Sequence, residues 1–373
     1  MIRNKITNIE VKKNNRNQIF RYICKNKTVS NPDIAYNLQI SLPTVTQNTR
    51  ELLENGLIKE VGEFKSTGGR RAKALEVEKN AYYAVGLDIT KNHVVLLLIN
   101  ILGEVIKFVR ISYIYNHDDS YYSSLNEKLE DFISDIDKNK ILGIGISFAG
   151  IVDLDKQKIM YSHILNVQSI SFSYISKFFN YPCLFLNDAN AGAFAECSNI
   201  DDTKRFFYLS LSNTVGGAII SNKNIVQGDK FRCGEVGHMT IVLDGDECYC
   251  GKKGCMDVYC SAKILSETPY GKIETFFDKL SEGEQNAKQI WDKYTDYLAV
   301  AINNLHMILD SDIILGGYVG NHIEPYINDI WQKIVNRNTF VDENIFIKSC
   351  KYKTETAALG AALKIMEDFI KKI

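Results

Sequence analysis

Up to about residue 80 the apolar side chains recur with the period of a helix, and beyond it with the short runs and alternation of strands. In "NRNQIFRYICKN" Ile19, Tyr22 and Ile23 fall on one face, which predicts an amphipathic helix. "SNPDIAYNLQI" predicts a second helix, opened by a Ser/Asn cap with Pro32 in its first turn. "SLPTVTQNTRELLENG" predicts a third, with Ser41 as N-cap, Gly56 as stop, and Val45, Thr49, Leu52 and Leu53 on one face. A step of about 100° per residue then turns Thr44, Gln47 and Arg50 outward. This is the pattern of a helix-turn-helix, whose second helix enters the major groove and offers short polar side chains to base edges.

"LIKEVGEFKSTGGRRAKALEVE" alternates like a two-stranded ribbon with a Gly-Gly tip, a wing. Its "KSTGGRRAK" segment carries Lys65, Arg70, Arg71 and Lys73 with no acid, which suits phosphate or minor-groove contact. A winged helix used for protein contacts is the alternative, and the basic tip favours duplex DNA. The first domain is expected over residues 1–79.

From about residue 82 the pattern changes. "YYAVGLDITKNHVVLLLIN" and "GEVIKFVRISY" predict adjacent strands, and "KILGIGISFAGIVD" a glycine-rich strand and loop. "YPCLFLNDANAGAFAE" predicts a buried strand running into a small-residue helix. "RFFYLSLSNTVGGAIISN" predicts two strands joined by a polar Gly-Gly turn, and "AVAINNLHMILDSDIILGGYVG" a long helix, a strand and a further Gly-Gly turn. Such alternation predicts an α/β body with a mixed or parallel sheet.

Composition narrows the class. The 373 residues are 45% hydrophobic and 24% charged, as in soluble globular proteins. No run reaches the roughly 18 apolar residues of a membrane span, and the first 20 residues lack a signal-peptide core, so a cytoplasmic protein is expected. The net charge of −1 conceals an asymmetry: residues 1–80 hold 15 Lys/Arg against 8 Asp/Glu, the remainder 29 against 37. A basic module on an acidic body points to a polyanionic partner for the small end.

Nine cysteines are spread along the chain, and three of them gather after one histidine in "CGEVGHMTIVLDGDECYCGKKGC". His238, Cys248, Cys250 and Cys255 are four N/S ligands spaced H-x9-C-x-C-x4-C, with Gly251 and Gly254 permitting a tight return. They can close a tetrahedral structural zinc site, one per chain, with no open position for catalysis. Cys24, Cys183, Cys197, Cys233, Cys260 and Cys350 have no metal role assigned.

In this order the motifs resemble the ROK family (repressors, open reading frames and kinases). The most specific match is E-x-G-H followed by C-x-C-G-x-x-G-C, here "GEVGH" and "CYCGKKGC". A winged helix fused to such a body is similar to the family's sugar-responsive repressors. The resemblance implies an actin-like, ribonuclease-H-like pair of lobes, expected over 80–190 and 191–373 with the last helix returning to the first lobe, and a sugar in the cleft between them. It also implies a homodimer or higher homo-oligomer acting on operator DNA. Asn187, Asp188, Glu235, His238 and Asp257 would contact the sugar, Asp257 replacing the glutamate usual in family kinases; Gly150 and His163 fall near the second sugar-contacting loop. One ring nitrogen of His238 would bind zinc while the other, or Glu235, faces the ligand. Helix capping alone is the competing role for Asn187 and Asp188.

In a family kinase Asp188 would be the general base. Such kinases use D-x-G-x-T and G-T-G-x-G-G, whose glycines let backbone N–H groups reach phosphates. Here the first reads "LDITKNH", with Asp88 but no following glycine, and the second "LSNTVGGA", with Ser212 and Asn213 in place of Gly-Thr. The expectation is a sugar-sensing transcriptional repressor rather than an enzyme; a sugar kinase with a regulatory winged helix is the runner-up.

Overall fold

The computed structural model describes residues 8–64, 71–197, 204–340 and 344–373. Helices α1 (Asn8–Lys25), α2 (Asn31–Leu38) and α3 (Leu42–Glu54) form the first module. Ser30 Oγ accepts from the Asp33 N–H at 3.3 Å while the Asp33 carboxylate accepts from the Ser30 N–H at 3.0 Å, a reciprocal cap on α2. Ser41 Oγ caps α3 by accepting from the Thr44 N–H, and Gly56, at φ +67°, leads the chain out. Ile19, Ile23, Ile34, Val45 and Leu52 are buried together. Strands β1 (Ile58–Glu63) and β2 (Lys73–Val77) pair antiparallel as the wing, and Val29 exchanges both main-chain bonds with Leu75. The Gly-Gly tip with Lys65 and Arg70 lies outside the described residues.

The stretch expected as one strand holds two, β3 (Tyr83–Ile89) and β4 (His93–Asn100), because Thr90 makes a turn in which its hydroxyl donates to the His93 carbonyl at 2.8 Å. An edge strand β5 (Val105–Ser112) and helix α4 (Asp119–Phe132) follow. Next come β6 (Ile141–Phe148), a small sheet of β7 (Ile151–Asp153), β8 (Lys158–Ser162) and β9 (Val167–Ser171), helix α5 (Phe172–Ser176) and β10 (Cys183–Asn187). The main sheet has the order β10-β6-β3-β4-β5.

After α6 (Asp188–Glu196), strands β11 (Arg205–Leu211), β12 (Val215–Ser221) and β13 (Asn224–Ile225) open the second lobe. Gly216 and Gly217 sit inside β12, not in the turn where they were expected; Ser212–Thr214 make the turn. Short helices α7 (Asp257–Cys260), α8 (Lys263–Ser266) and α9 (Ile273–Ser281) precede the long α10 (Gln285–Leu309). Then follow β14 (Asp312–Gly316), α11 (Gly317–Gly320), α12 (Ile327–Val335), β15 (Ile347–Ser349) and α13 (Thr356–Ile370). The second sheet, β13-β12-β11-β14-β15, repeats the first, with three antiparallel strands and then two parallel ones added beside the first strand. Two such lobes make the actin-like architecture.

Helix α13 packs on the sheet of the first lobe, and the contact is backbone on backbone. A Cβ on Gly86 of β3 would stand 1.9 Å from the Ala358 carbonyl oxygen, one on Gly145 of β6 2.1 Å from that of Ala361, and one on Gly360 1.7 Å from that of Ala191 in α6. Its far end meets the winged helix. Glu367 receives two N–H bonds from Arg21 at 2.7 and 3.0 Å, Asn17 donates to the Ile370 carbonyl, and Arg16 bonds both the Ile373 carbonyl and Glu51 of α3. One apolar core runs through the junction, with Ile19, Phe20 and Ile23 contiguous with Leu97, Ile99, Leu359 and Met366.

Gly360→Ala is therefore expected to force α6 and α13 apart, at a cost of roughly 1–3 kcal/mol or more. At about 2–4 °C per kcal/mol, the loss is readable by calorimetry. An unchanged melting temperature would contradict this crossing.

Candidate functional site

The ends of β6 and β10, the start of α6 and the loop after β13 converge on a cavity of about 200 Å³ between the lobes. Gly150, His163, Asn187, Asp188, Glu235 and His238 all line it. Asn187 caps α6, its Oδ1 accepting from the Asn190 N–H at 3.0 Å, while its Nδ2 donates to the Gly150 carbonyl at 3.1 Å and to Asp188 Oδ1 at 3.0 Å. The cap and the pocket wall are thus one residue. Asp188 follows at the head of α6, and burial pushes its carboxyl up to about 6 against the opposing pull of backbone N–H groups and Asn187. Glu235 is pushed up to about 7, by the surrounding walls first and the Asp188 charge second, with Arg232 opposing. His238 is held below its ordinary value by burial and by His163, which favours the neutral ring.

Asp257 does not line this cavity. Its Oδ2 accepts from the Val215 N–H at 2.9 Å and lies 3.5 Å from the Tyr249 hydroxyl, which makes it a buried support for the first residue of β12. Tyr161, Arg232 and Tyr249 do line it and were missed. For Tyr249 a signal was present: a residue between two candidate ligand cysteines is carried beside the candidate ligand histidine.

A larger cavity, about 550 Å³, lies on the other side of Asp188, which lines both. Its wall includes Asp88, which accepts from Ser147 Oγ at 2.7 Å and is pushed up to about 7, chiefly by burial. Ser212 and Asn213 also line it. Gly317, at φ +75°, approaches Leu211 and Ser212 so closely that a side chain there would collide, a packing reason for this Gly-Gly pair. Across the cavity Arg110 of β5 bonds Glu355 at 2.9 and 3.1 Å and rests over the Tyr318 ring.

The four metal-ligand candidates are gathered as the spacing implied. Their donor atoms all lie within 4.8 Å of one another, with Cys250 Sγ 3.8 Å from Cys255 Sγ and Cys248 Sγ 4.0 Å from His238 Nδ1. A tetrahedron with bonds of about 2.3 Å has edges of about 3.8 Å, so the donor set fits a closed metal centre. Burial raises the Cys250 thiol, but hydrogen bonds from the Lys252 backbone and from Cys248 and Cys255 outweigh it and draw it below its ordinary value.

On the winged helix, Gln47 and Arg50 are exposed on α3, whereas Thr44 is half-buried with its hydroxyl 2.8 Å from Ser41 Oγ. Arg50 pairs with Glu54 at 2.8 Å. The wing register sets Lys73 2.7 Å from Glu60 and Arg71 4.0 Å from Glu63, so the acid-free run in sequence meets acids across the hairpin. Thr46 is also exposed on α3, its hydroxyl donating to the Leu42 carbonyl at 2.9 Å.

A winged helix seated on a two-lobed, actin-like body with a cleft and a Cys/His cluster defines the class. The ROK family profile matches residues 84–367, and a winged helix-turn-helix DNA-binding profile matches residues 13–59. The chain belongs to the ROK family. It is similar to the xylose repressor of Bacillus subtilis (strain 168), 28% identical over 343 residues that cover 90% of this chain and 84% of that one. It is also similar to the DNA-binding transcriptional dual regulator NagC of Escherichia coli (strain K12), 26% identical over 318 residues, 84% of this chain and 76% of that one. Among solved structures, a ROK family transcriptional regulator described as a homologue of the E. coli MLC protein superposes with a TM-score of 0.76 at 21% identity over 97% of each chain. A ROK family glucokinase from Streptomyces griseus, in complex with glucose and AMPPNP, gives 0.67 at 17% identity over 76% of this chain and 98% of that one. The body's shape is thus common to a regulator and a kinase, and fold alone does not separate them.

Asp88 makes the cleft's electrostatics measurable. Its pKa, about 7 when folded, stands above the roughly 3.9 of an unfolded aspartate. The folded state therefore holds the extra proton, and stability falls as pH rises from about 4 to 7. Asp88→Asn should flatten that part of the urea-midpoint profile and stabilise the protein more at pH 8 than at pH 5. Identical profiles for parent and variant would contradict the assignment.

Proposed function

We propose that this protein is a transcriptional repressor of sugar-metabolism genes in which a monosaccharide bound at Asp188 changes the affinity of α3 for operator DNA. The observation that carries the reading is the unbroken packing from cleft to DNA-binding module. Asp188 opens α6, α6 crosses α13 at Gly360, and α13 ends against α1, whose Arg16 holds Glu51 of α3. A sugar that binds the open and closed lobes unequally then biases the position of α3, as linkage requires.

The cavity's chemistry supports a sugar: carboxylates, an amide and an imidazole converge on a space of about 200 Å³. At about 30 Å³ per water it holds roughly seven waters, room for one monosaccharide ring. The names of the relatives make D-xylose and N-acetylglucosamine the first sugars to titrate. Against a kinase stand Ser212 and Asn213, where glycines would admit phosphates, and the Arg110–Glu355 pair in the larger cavity. A palindromic operator would call for a homodimer, each winged helix reading one half-site. Among the described residues no helix is long and apolar enough to cross a membrane, in keeping with a cytoplasmic regulator.

The metal reading is zinc, one per chain, held by His238, Cys248, Cys250 and Cys255. When bound it would fix its loop and supply no open coordination position. His238 Nδ1 faces Cys248, which leaves Nε2 for the pocket.

Asp188→Asn keeps the size of the side chain and exchanges an ionised acceptor for an amide. Sugar affinity should fall by roughly 1.5–3 kcal/mol, about ten- to hundredfold, with binding to a duplex from the protein's own promoter nearly unchanged. Calorimetric titration beside promoter binding decides it. Equal sugar affinity would reduce Asp188 to a structural role, and ATP-dependent sugar phosphorylation by the parent alone would establish the kinase.

Elemental analysis of protein prepared without chelator should find about one zinc per chain, and Cys250→Ser should lose it with loss of order over residues 235–257. Metal-free parent protein would remove the zinc reading.

A further inference from the structure

We propose that Tyr249 is a wall of the sugar pocket that takes the C–H face of the bound ring, an inference that rests on the sugar reading of the Asp188 site. Tyr249 lies between Cys248 and Cys250, so two ligands of the candidate metal centre fix its backbone on both sides. It is nevertheless 47% exposed, a large ring left uncovered in a cleft and lining the smaller cavity. Its orientation is set at the edges. The hydroxyl lies 3.5 Å from Asp257 Oδ2, and that carboxylate is itself fixed by the Val215 N–H.

The ring meets two others edge-on. Its centroid is 5.5 Å from that of His238, at 68° between planes, and 5.6 Å from that of His163, at 71°. His163 follows β8 in the first lobe, while His238 and Tyr249 belong to the second, so the rings meet across the lobe boundary. Asp188, Glu235 and Asn187 supply the polar groups for hydroxyls. A pyranose also presents faces of C–H bonds, which polar groups cannot satisfy and an aromatic face can. Tyr249 is the large aromatic side chain that the metal loop contributes to this wall. The loop thereby becomes part of effector recognition.

The test uses the full chain and the two sugars D-xylose and N-acetylglucosamine, titrated by calorimetry against Tyr249→Phe, Tyr249→Leu, Tyr249→Ala and Asp188→Asn, with zinc measured in each. Phe should bind the parent's sugar within about threefold. Leu and Ala, which lack the aromatic face, should lose about tenfold or more with metal content unchanged. Parent-like affinity in Leu and Ala while Asp188→Asn loses binding would overturn the role of Tyr249 and leave the sugar site standing. Loss of metal in Leu and Ala together with loss of binding would make the residue scaffold and overturn it as well. Failure of the parent to bind either sugar, or parent-like binding in every variant, would overturn the sugar reading and this inference with it.

Discussion

The rest of the molecule depends on how closely α13 lies against its neighbours. At Gly86, Gly145 and Gly360 no side chain separates the helix from β3, from β6 or from α6, and the gaps admit not even a methyl group. Close-packed backbone of this kind transmits displacement, because it has no compliant layer to absorb it. Helix α6 is gripped at both ends. Its first turn carries Asp188 into the cleft, and its last residue, the buried Glu196, accepts N–H bonds from Lys351 and Tyr352 on the approach to α13. Helix α6 therefore meets the α13 region at two places, and the Arg16, Asn17 and Arg21 contacts join α13 to α1.

Legibility in the sequence followed the range of the interaction that makes each feature. Caps at Ser30 and Ser41, the stop at Gly56 and the buried faces of α1 and α3 arise from contacts a few residues long, and local pattern exposes them. The Cys/His cluster was legible for the same reason, since all four residues fall within one loop. The matching strand order of the two lobes was not, because the duplication lies in topology and leaves no short repeat. The contact of Asp257 with the backbone of Val215, 42 residues away, leaves no mark in local pattern. Gly216 and Gly217 read as a turn, since glycine demanded by packing and glycine demanded by positive φ look alike in a sequence. The wing's basic run looked unopposed until the register set Glu60 and Glu63 beside Lys73 and Arg71.

Asp188 lines both cavities of the cleft. A carboxylate between a sugar pocket and a phosphate pocket can draw a proton from a hydroxyl as it attacks, provided something holds the phosphate. Here the neighbouring wall offers Ser212, Asn213 and an Arg110–Glu355 pair. What remains is a cluster of carboxyls, Asp88, Asp188 and Glu235, each raised by burial, all more comfortable with hydrogen-bond donors than with open charge. A polyol supplies such donors. The same desolvation that raises these groups makes hydroxyls effective ligands for them.

The Cys/His cluster answers a problem created by the loop that carries it. Between Ile225 and Asp257 the chain makes no helix or strand beyond the short turn Val236–His238 and the isolated bridges Thr240–Cys255 and Glu247–Lys253. Ordering such a segment costs on the order of 1–2 kcal/mol per residue in backbone freedom, and few of its side chains are buried to offset that. Yet it must hold Glu235, His238 and Tyr249 in one wall of the pocket. Four ligands drawn to within 4.8 Å of one another close the loop at its base, and a metal bridging them would replace the missing apolar core. The positive φ of Gly251 and Gly254 lets the chain double back tightly enough to bring Cys248, Cys250 and Cys255 together, which also turns Tyr249 toward His238. The geometry that gathers the Cys/His cluster is therefore the geometry that builds the pocket wall.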